Sequence, residues 1–429
     1  MKKLVRIVAF LLLFSAALFA QYNSDFNITG AGARAEGFGG AFIGLADDAT
    51  AVVWNPSGLT QLERPEASIV TRFIREGVTF KHETRPKLDY EDANGRFALN
   101  FASFATPVSK NEMKLVAAIS FQRQLDFFEK GKDQDIDGFG NIVQEVTDGS
   151  GGVNTVTPAI ALKLSPMISV GLSVNVWTGS IDNKHSVQVI GVGKNSEKYT
   201  ADYSGLNFVI GTLFDFEQLK NGVPFKIGAT LRTPFELTSK GSVVIEDQLS
   251  TSPGVGTLDV KQTIQMPLMI GVGASYRMGD NLTFAFDYEM RNYAQKNLTT
   301  ELSLAGFGSV SGSEKVSQSG SNLNEIRFGA EYLIVGDAGV IPLRIGFKTV
   351  PTVLSDVDIK YDPVQDDLIL TPNGNQVKGA GISLGSGFIS NAFAIDVTLS
   401  SQAYTQKVGA NSQFDFTVGT LSSSVIIYF

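Results

Sequence analysis

The stretch Leu282-Thr283-Phe284-Ala285-Phe286-Asp287-Tyr288-Glu289-Met290-Arg291-Asn292-Tyr293 changes character at nearly every step. Side chains of an extended chain point alternately to opposite sides. Leu282, Phe284, Phe286, Tyr288 and Met290 therefore share one face, and Thr283, Asp287, Glu289 and Arg291 share the other. The period of two returns in Ile326, Phe328, Tyr332 and Ile334 against Glu325, Arg327 and Glu331. It returns again in Leu343, Ile345 and Phe347 against Arg344 and Lys348, and in Phe393, Ile395, Val397 and Leu399 against Asp396 and Thr398. A β-sandwich with polar faces in water alternates in the same way, so the period alone leaves that architecture open.

Connection lengths favour a barrel. Fourteen candidate strands run over 66–80, 94–107, 112–125, 154–164, 167–179, 201–216, 223–233, 261–277, 280–294, 322–334, 340–349, 378–389, 391–404 and 418–429. Their links alternate between tight turns, such as Ser165-Pro166, Gly279-Asp280, Gly336-Asp337 and Ser390-Asn391, and long segments rich in Gly, Ser, Asp and Asn, such as 126–153, 235–260, 295–321 and 350–377. An even number of up-and-down strands with short turns at one rim and long loops at the other is the pattern of an outer-membrane barrel. Hydrocarbon offers no water to backbone groups, so such a sheet must close on itself. The expected fold is all-β: a 14-stranded antiparallel transmembrane β-barrel over 66–429.

Both ends of the chain agree with export. Lys2, Lys3 and Arg6 precede the apolar run Ile7 to Phe14 and the small residues Ser15, Ala16 and Ala17, the layout of a signal peptide over 1–20. Cleavage is expected after Ala20, with Ala17 as an alternative. An uncleaved anchor helix is the competing reading, and the run is short for a span of about 20 residues. At the other end Val425, Ile427 and Phe429 alternate up to an aromatic last residue, as in substrates of the outer-membrane assembly machinery.

The chain has no cysteine, which excludes disulfides, thiolate metal sites and an N-terminal lipidated cysteine. Removing the leader's three positive charges takes the formal net charge from -8 to -11, which speaks against nucleic acid as a partner. After residue 20 no apolar run is long enough for a membrane-spanning helix.

Residues 21–65 read differently. Gly30, Gly32, Gly37, Gly39, Gly40 and Gly44 precede a short helical stretch from Asp47 to Val53, with Asp47 as the expected N-cap. A fourteen-stranded lumen is too wide to be filled by its own side chains. This segment is therefore expected to fold inside it as a plug, or hatch, with a short helix.

Three pieces of that segment carry a family resemblance: Gly32-Ala33-Arg34-Ala35-Glu36-Gly37-Phe38-Gly39-Gly40-Ala41, Ala46-Asp47-Asp48-Ala49-Thr50-Ala51 and Trp54-Asn55-Pro56-Ser57-Gly58-Leu59. Together they resemble the plug of the FadL family, in which the last piece usually reads Asn-Pro-Ala-Gly-Leu; Ser57 replaces the alanine. The likeness continues through Pro267 to Arg277 with Asp287 to Arg291, and Arg327 to Tyr332 with Pro342 to Phe347. It implies passive uptake of hydrophobic compounds, long-chain fatty acids or aromatic hydrocarbons, across the bacterial outer membrane. Ligand would be captured at the lipopolysaccharide-covered surface and released sideways through the wall. A PorV-like barrel, which shuttles or anchors proteins of type IX secretion, has a similar plug and is the alternative.

On this resemblance Asn55, Pro56, Ser57 and Gly58, with Trp54, Asp47 and Asp48, are the candidate gating residues of the plug. Asn-Pro turns the chain and Gly widens its backbone choices, so a purely structural turn remains the competing role. The family's lateral gap goes with a kinked third strand, yet 112–125 holds neither Gly nor Pro, so a kink there would need a bulge. Pro158 and Pro267 each remove one ladder hydrogen bond elsewhere. The lumen face would carry Lys226, Arg232, Asp287, Glu289, Arg291, Glu325, Arg327, Glu331, Arg344, Lys348 and Asp396, expected to pair across neighbouring strands.

Asp133, Asp135, Asp137 and Asn141 space their oxygens like the start of a calcium loop. The twelfth position is Gln144 and not Glu, so a solvated acidic loop is the competing reading. An enzyme is not expected. His82 and His185, expected in the first and third long loops, have no partner motif for a nucleophile or activated water.

Overall fold

The computed structural model describes residues 30–108, 114–136, 141–249, 254–304, 308–362 and 367–429; the leader lies outside them. The strands are β1 (Glu66–His82), β2 (Tyr90–Pro107), β3 (Leu115–Asp126), β4 (Glu129–Ile136), β5 (Ile142–Lys163), β6 (Ile168–Val189) and β7 (Gly193–Asp215). They continue as β8 (Phe225–Arg232), β9 (Phe235–Asp247), β10 (Gly254–Met266), β11 (Met269–Met278), β12 (Leu282–Arg291) and β13 (Asn297–Leu304). The last are β14 (Gly308–Lys315), β15 (Leu323–Gly336), β16 (Gly339–Asp362), β17 (Asp367–Ile389), β18 (Phe393–Val408) and β19 (Ser412–Tyr428).

Antiparallel ladders link β1, β2, β3, β5, β6, β7 and β8 in that order, then β11, β12, β15, β16, β17, β18 and β19. Pairing of β19 with β1, from Glu66↔Tyr428 to His82↔Ser412, closes a ring of fourteen staves. Each expected strand falls on one stave. The other five segments extend staves outward beyond short interruptions: β4 beyond β3, β9 beyond β8, β10 beyond β11, β13 beyond β12 and β14 beyond β15. The break between β10 and β11 falls at Pro267-Leu268, where proline has no N–H for the ladder. Pro158 stays inside β5 opposite Ile119, and the ladder to β6 skips Thr157 and Pro158.

The segments expected as long loops are in large part strand. Residues 126–153 hold β4 and the outer end of β5, 295–321 hold β13 and β14, and 350–377 hold the arms of β16 and β17. The outward faces of these arms can meet water while inward residues such as Leu298, Leu302 and Val353 are buried, so the arms need no apolar outer face and are not announced as staves. Cross-strand hydrogen bonds hold them together regardless. At 24 residues, β16 is far longer than the roughly 10 residues that cross a bilayer.

Burial is inverted relative to a soluble protein. On β12, Phe286 is 46% and Tyr288 37% exposed, while Asp287 and Glu289 between them are 0% and 4% exposed. Phe328, Leu343, Ile345, Phe347, Leu384 and Leu399 are likewise exposed, and Arg327, Glu331, Arg344 and Asp396 are buried. A greasy outer wall around a charged interior is the surface of a transmembrane barrel.

That inversion predicts the outcome of Phe328→Arg. In lipid vesicles the folded barrel should lose up to about 4 kcal/mol, read from urea unfolding, because an arginine then faces hydrocarbon. An unchanged midpoint would mean that the apolar face does not meet lipid.

Candidate functional site: the plug and the seam beside it

Residues 30–65 fold inside the ring as two short helices, Ala33–Gly37 and Ala51–Trp54, followed by a 3₁₀ turn over Pro56–Gln61. The first helix lies within the glycine-containing stretch ahead of the one helix expected. The second begins later than expected, and Asp47 does not cap it. Thr50 occupies the N-cap, its N–H donating to Asp48 Oδ1 at 2.8 Å, while Asp47 turns away to pair with Arg34. Burial opposes the Asp47 charge, but Arg34 holds that carboxyl below the usual range; burial pushes Asp48 up.

The candidate gate is tightly held. Asn55 Nδ2 donates to the carbonyls of Ile43 (2.9 Å) and Thr212 (3.1 Å), and Asn55 Oδ1 accepts from the Ser57 hydroxyl at 2.6 Å. Trp54 Nε1 donates to the Ala31 carbonyl at 2.8 Å. A Cβ on Gly58 would collide with the Ala46 carbonyl, so only glycine fits there. These bonds tie the motif both to the rest of the plug and to β7.

The wall meets the plug through glycines on its lumen face, a signal sequence reading missed. Cross-strand pairs Gly171↔Gly211, Gly228↔Gly273 and Gly329↔Gly346 sit where the plug backbone touches the staves. A Cβ at Gly171 would strike Pro56, at Gly211 Asn55, at Gly228 Ile43, at Gly329 Phe38 and at Gly346 Gly39. At Gly273 it would lie 2.7 Å from the Gly44 nitrogen. Glycine among polar inward positions could have marked this contact.

Charged residues complete the fit. Asp287 Oδ2 accepts the N–H groups of Phe42 (2.7 Å) and Ile43 (2.9 Å), fixing a plug turn to β12. Arg291 bridges Glu289 (2.6 Å) and Glu325 (2.8 Å); Arg327 bridges the same two carboxylates at 3.4 and 2.8 Å and lies over the Trp54 ring. Arg344 joins Glu331 and Asp396, each at 2.6 Å, and Glu331 reaches Arg34 of the plug at 3.5 Å. Arg232 donates to the Val53 carbonyl at 3.3 Å, and Lys226 reaches Gln61. The expected cross-strand pairing is present, and it also grips the plug.

Above the plug lies a cavity of about 140 Å³ lined by Glu36, Trp54, Arg72, Arg327, Lys348 and Gln402 among others. Beside it an apolar cluster, including Leu125, Phe127, Trp177, Leu237, Met266 and Leu298, fills the space between the outer halves of the staves. Asp133 and Asp135 lie on β4, opposite Glu145 and Val143, and Asp137 lies outside the described residues. Asn141 immediately precedes β5. His82 ends β1 and His185 lies within β6, so neither is the loop residue expected.

Ladders stop short of the outer rim at two borders among the described residues: between β15 and β16, where pairing ends at Arg327↔Lys348, and between β2 and β3. The β2–β3 ladder runs from Pro107↔Val116 only as far as Phe101↔Gln122. Beyond it, among the described residues, residues 90–99 of β2 pair with β1 alone, while the rest of β3 and β4 pairs with β5. Both lips are bulged at the ladder's end. Thr71 follows Val70 opposite Leu99 and Phe101, leaving Asn100 extra, and Arg123 and Leu125 face Asn154 and Val153, leaving Gln124 extra. The third stave thus carries a bulge without Gly or Pro. A second cavity, of about 70 Å³, opens at this seam.

The family described as BamG matches residues 1–337. The chain belongs to the BamG family. No curated protein sequence matches it. Solved structures show that this BamG-family barrel has the fold of FadL-type proteins. The Pseudomonas putida toluene transporter TodX is 11% identical with a TM-score of 0.61, covering 94% of this chain and 99% of that one. The Ralstonia pickettii toluene transporter TbuX is 16% identical with a TM-score of 0.59, covering 94% and 100%. A Pseudomonas aeruginosa FadL homologue is 12% identical with a TM-score of 0.58, covering 92% and 97%.

Two outcomes follow for the plug. Gly346→Val should lower the unfolding midpoint, at a cost of about 1–3 kcal/mol from forced overpacking, whereas Gly419→Ala, whose new methyl would come no nearer than 4.0 Å to the Arg75 carbonyl, should leave it unmoved. Shortening residues 30–60 should make vesicles leak small polar solutes in a liposome-swelling assay. Unchanged permeability would mean that the plug is not the seal.

Proposed function

We propose that this BamG-family barrel lets small hydrophobic molecules enter the bacterial outer membrane, passing from the outer mouth sideways through the seam between β2 and β3. The observation that carries the reading is the seam itself. Backbone pairing stops there while the plug stays wedged across the lumen below, so a sideways path is the less obstructed one. The apolar cluster beside the cavities supplies surface that greasy solutes prefer to water. The FadL-type fold, shared with proteins described as toluene transporters, supports the same direction. Asn55, Pro56, Ser57 and Gly58 then serve as a floor that turns the path, and movement of the plug is not required.

A second reading has its own support. The cavity above the plug is only about 140 Å³, smaller than the roughly 300 Å³ at which ligand pockets begin, and Glu36, Arg72, Arg327 and Lys348 are among the residues that line it. A closed barrel suits a PorV-like role as an anchor or carrier of other proteins, which copurification with exported proteins would support.

The chain's lack of cysteine makes the passage testable. Ala98→Cys with Leu125→Cys places one thiol on each lip of the seam. Joined by a short bifunctional maleimide, this pair should cut uptake of labelled p-xylene by expressing cells at least tenfold, while each single variant treated alike should not. Full uptake through the cross-linked barrel would refute a lateral passage.

A further inference from the structure

The seam is bordered by groups that hydrocarbon cannot satisfy. Asn100 and Gln124, the two bulged residues at the end of the β2–β3 ladder, both line its cavity and are at least 96% buried. Each carries a side-chain carbonyl oxygen with no hydrogen-bond partner. Gln124 has already committed its NH₂ to Gln122 Oε1 (2.9 Å) and Thr155 Oγ1 (3.1 Å), so only its acceptor is left over. Next to them, Arg123 Nε is buried without a hydrogen-bond acceptor and reaches Asp126 only at 4.0 Å. A buried polar group left unmade is a sizeable cost, and three gathered at one cavity ask for a common partner.

The charges say what kind of partner. Arg96 of β2 is held by Glu76 of β1 at 2.7 Å and faces Asp126 of β3 across the seam at 3.7 Å. Arg72 is paired with Glu36 of the plug. Arg96 and Arg123 are then outnumbered by Glu76, Asp126 and Glu129, all five lining the cavity. The surroundings are slightly negative and disfavour an anion. Ile74, Leu125, Phe127 and Phe128 line the same cavity and offer an apolar or aromatic bed.

Resting on the lateral passage proposed above, we propose that the seam cavity is a head-group site selecting uncharged hydroxyl-bearing amphiphiles, such as phenols or alcohols. A hydroxyl both donates and accepts: its proton goes to Gln124 Oε1 or Asn100 Oδ1, and its oxygen receives the Arg123 Nε–H. A bare hydrocarbon leaves all three groups unpaired. A carboxylate supplies only acceptors and meets Glu76, Asp126 and Glu129.

Three para-substituted toluenes differing in one group test the site: p-cresol, p-xylene and p-toluate. Binding to the full-length barrel in nanodiscs, measured by calorimetry with empty nanodiscs subtracted, should favour p-cresol over p-xylene at least tenfold, with p-toluate weakest. In Asn100→Leu/Gln124→Leu the cresol-to-xylene ratio should fall towards one, and Gln124→Glu, which keeps the size and restores an acceptor, should retain a preference for cresol. A heat-modifiable gel band confirms that each variant is folded. Equal affinity for cresol and xylene, tightest binding of toluate, or no binding of any of the three overturns the head-group site. Unimpaired uptake through the cross-linked seam, with selective cresol binding intact, overturns the passage and spares the site.

Discussion

Every backbone N–H and C=O in the hydrocarbon layer must find its partner within the protein, and the architecture follows from that demand. A sheet can meet it only by closing, and the β1–β19 ladder does so along the whole of β1. Closure around fourteen staves leaves a lumen too broad for its own side chains, so a plug fills the lower part. The plug in turn sets the chemistry of the inner face. Where its backbone touches the wall the staves carry glycine, and where its polar groups end the staves supply Asp287, Arg232 and Glu331.

The ladder between β2 and β3 departs from the rule over its outer half. Side chains take over there: Arg96 spans from Glu76 towards Asp126 where main-chain bonds would otherwise run. An ion pair of this kind can part and re-form without unravelling either lip, whereas separating a paired ladder exposes many backbone groups together. This border is thus held reversibly, and its inner end meets the plug at Gly30, whose carbonyl accepts from Gln122.

Much of this was readable from alternation. Phe286, Asp287, Tyr288 and Glu289 announce their faces because one meets lipid and the other meets the plug, and the four tight turns follow from their Gly, Pro, Asn and Asp. The outer arms were not readable as staves, since their outward faces carry no apolar row: on β13 the polar Thr299 and Glu301 alternate with the buried Leu298 and Leu302. Nor was the seam. Asn100 and Gln124 are ordinary strand residues, and their bulges arise from register differences among three staves that no single stretch of sequence encodes. Asp47 was misassigned because an aspartate ahead of a helix is the usual cap, but a buried arginine competes for it more strongly than an N–H does. The plug motif was legible in the sequence, and the structure adds the bonds by which Asn55 is held.

The glycine contacts also bear on how the molecule is made. With Pro56 against Gly171, Asn55 against Gly211 and Gly39 against Gly346, the plug backbone lies flush with staves on opposite sides of the ring. Nothing that thick could be threaded into a finished tube, because the bulk of Trp54 and Phe42 has to pass constrictions that admit no methyl group. The wall must therefore curl around a plug already in position, and the hatch acts as the mandrel on which the last seam of the cylinder is drawn shut.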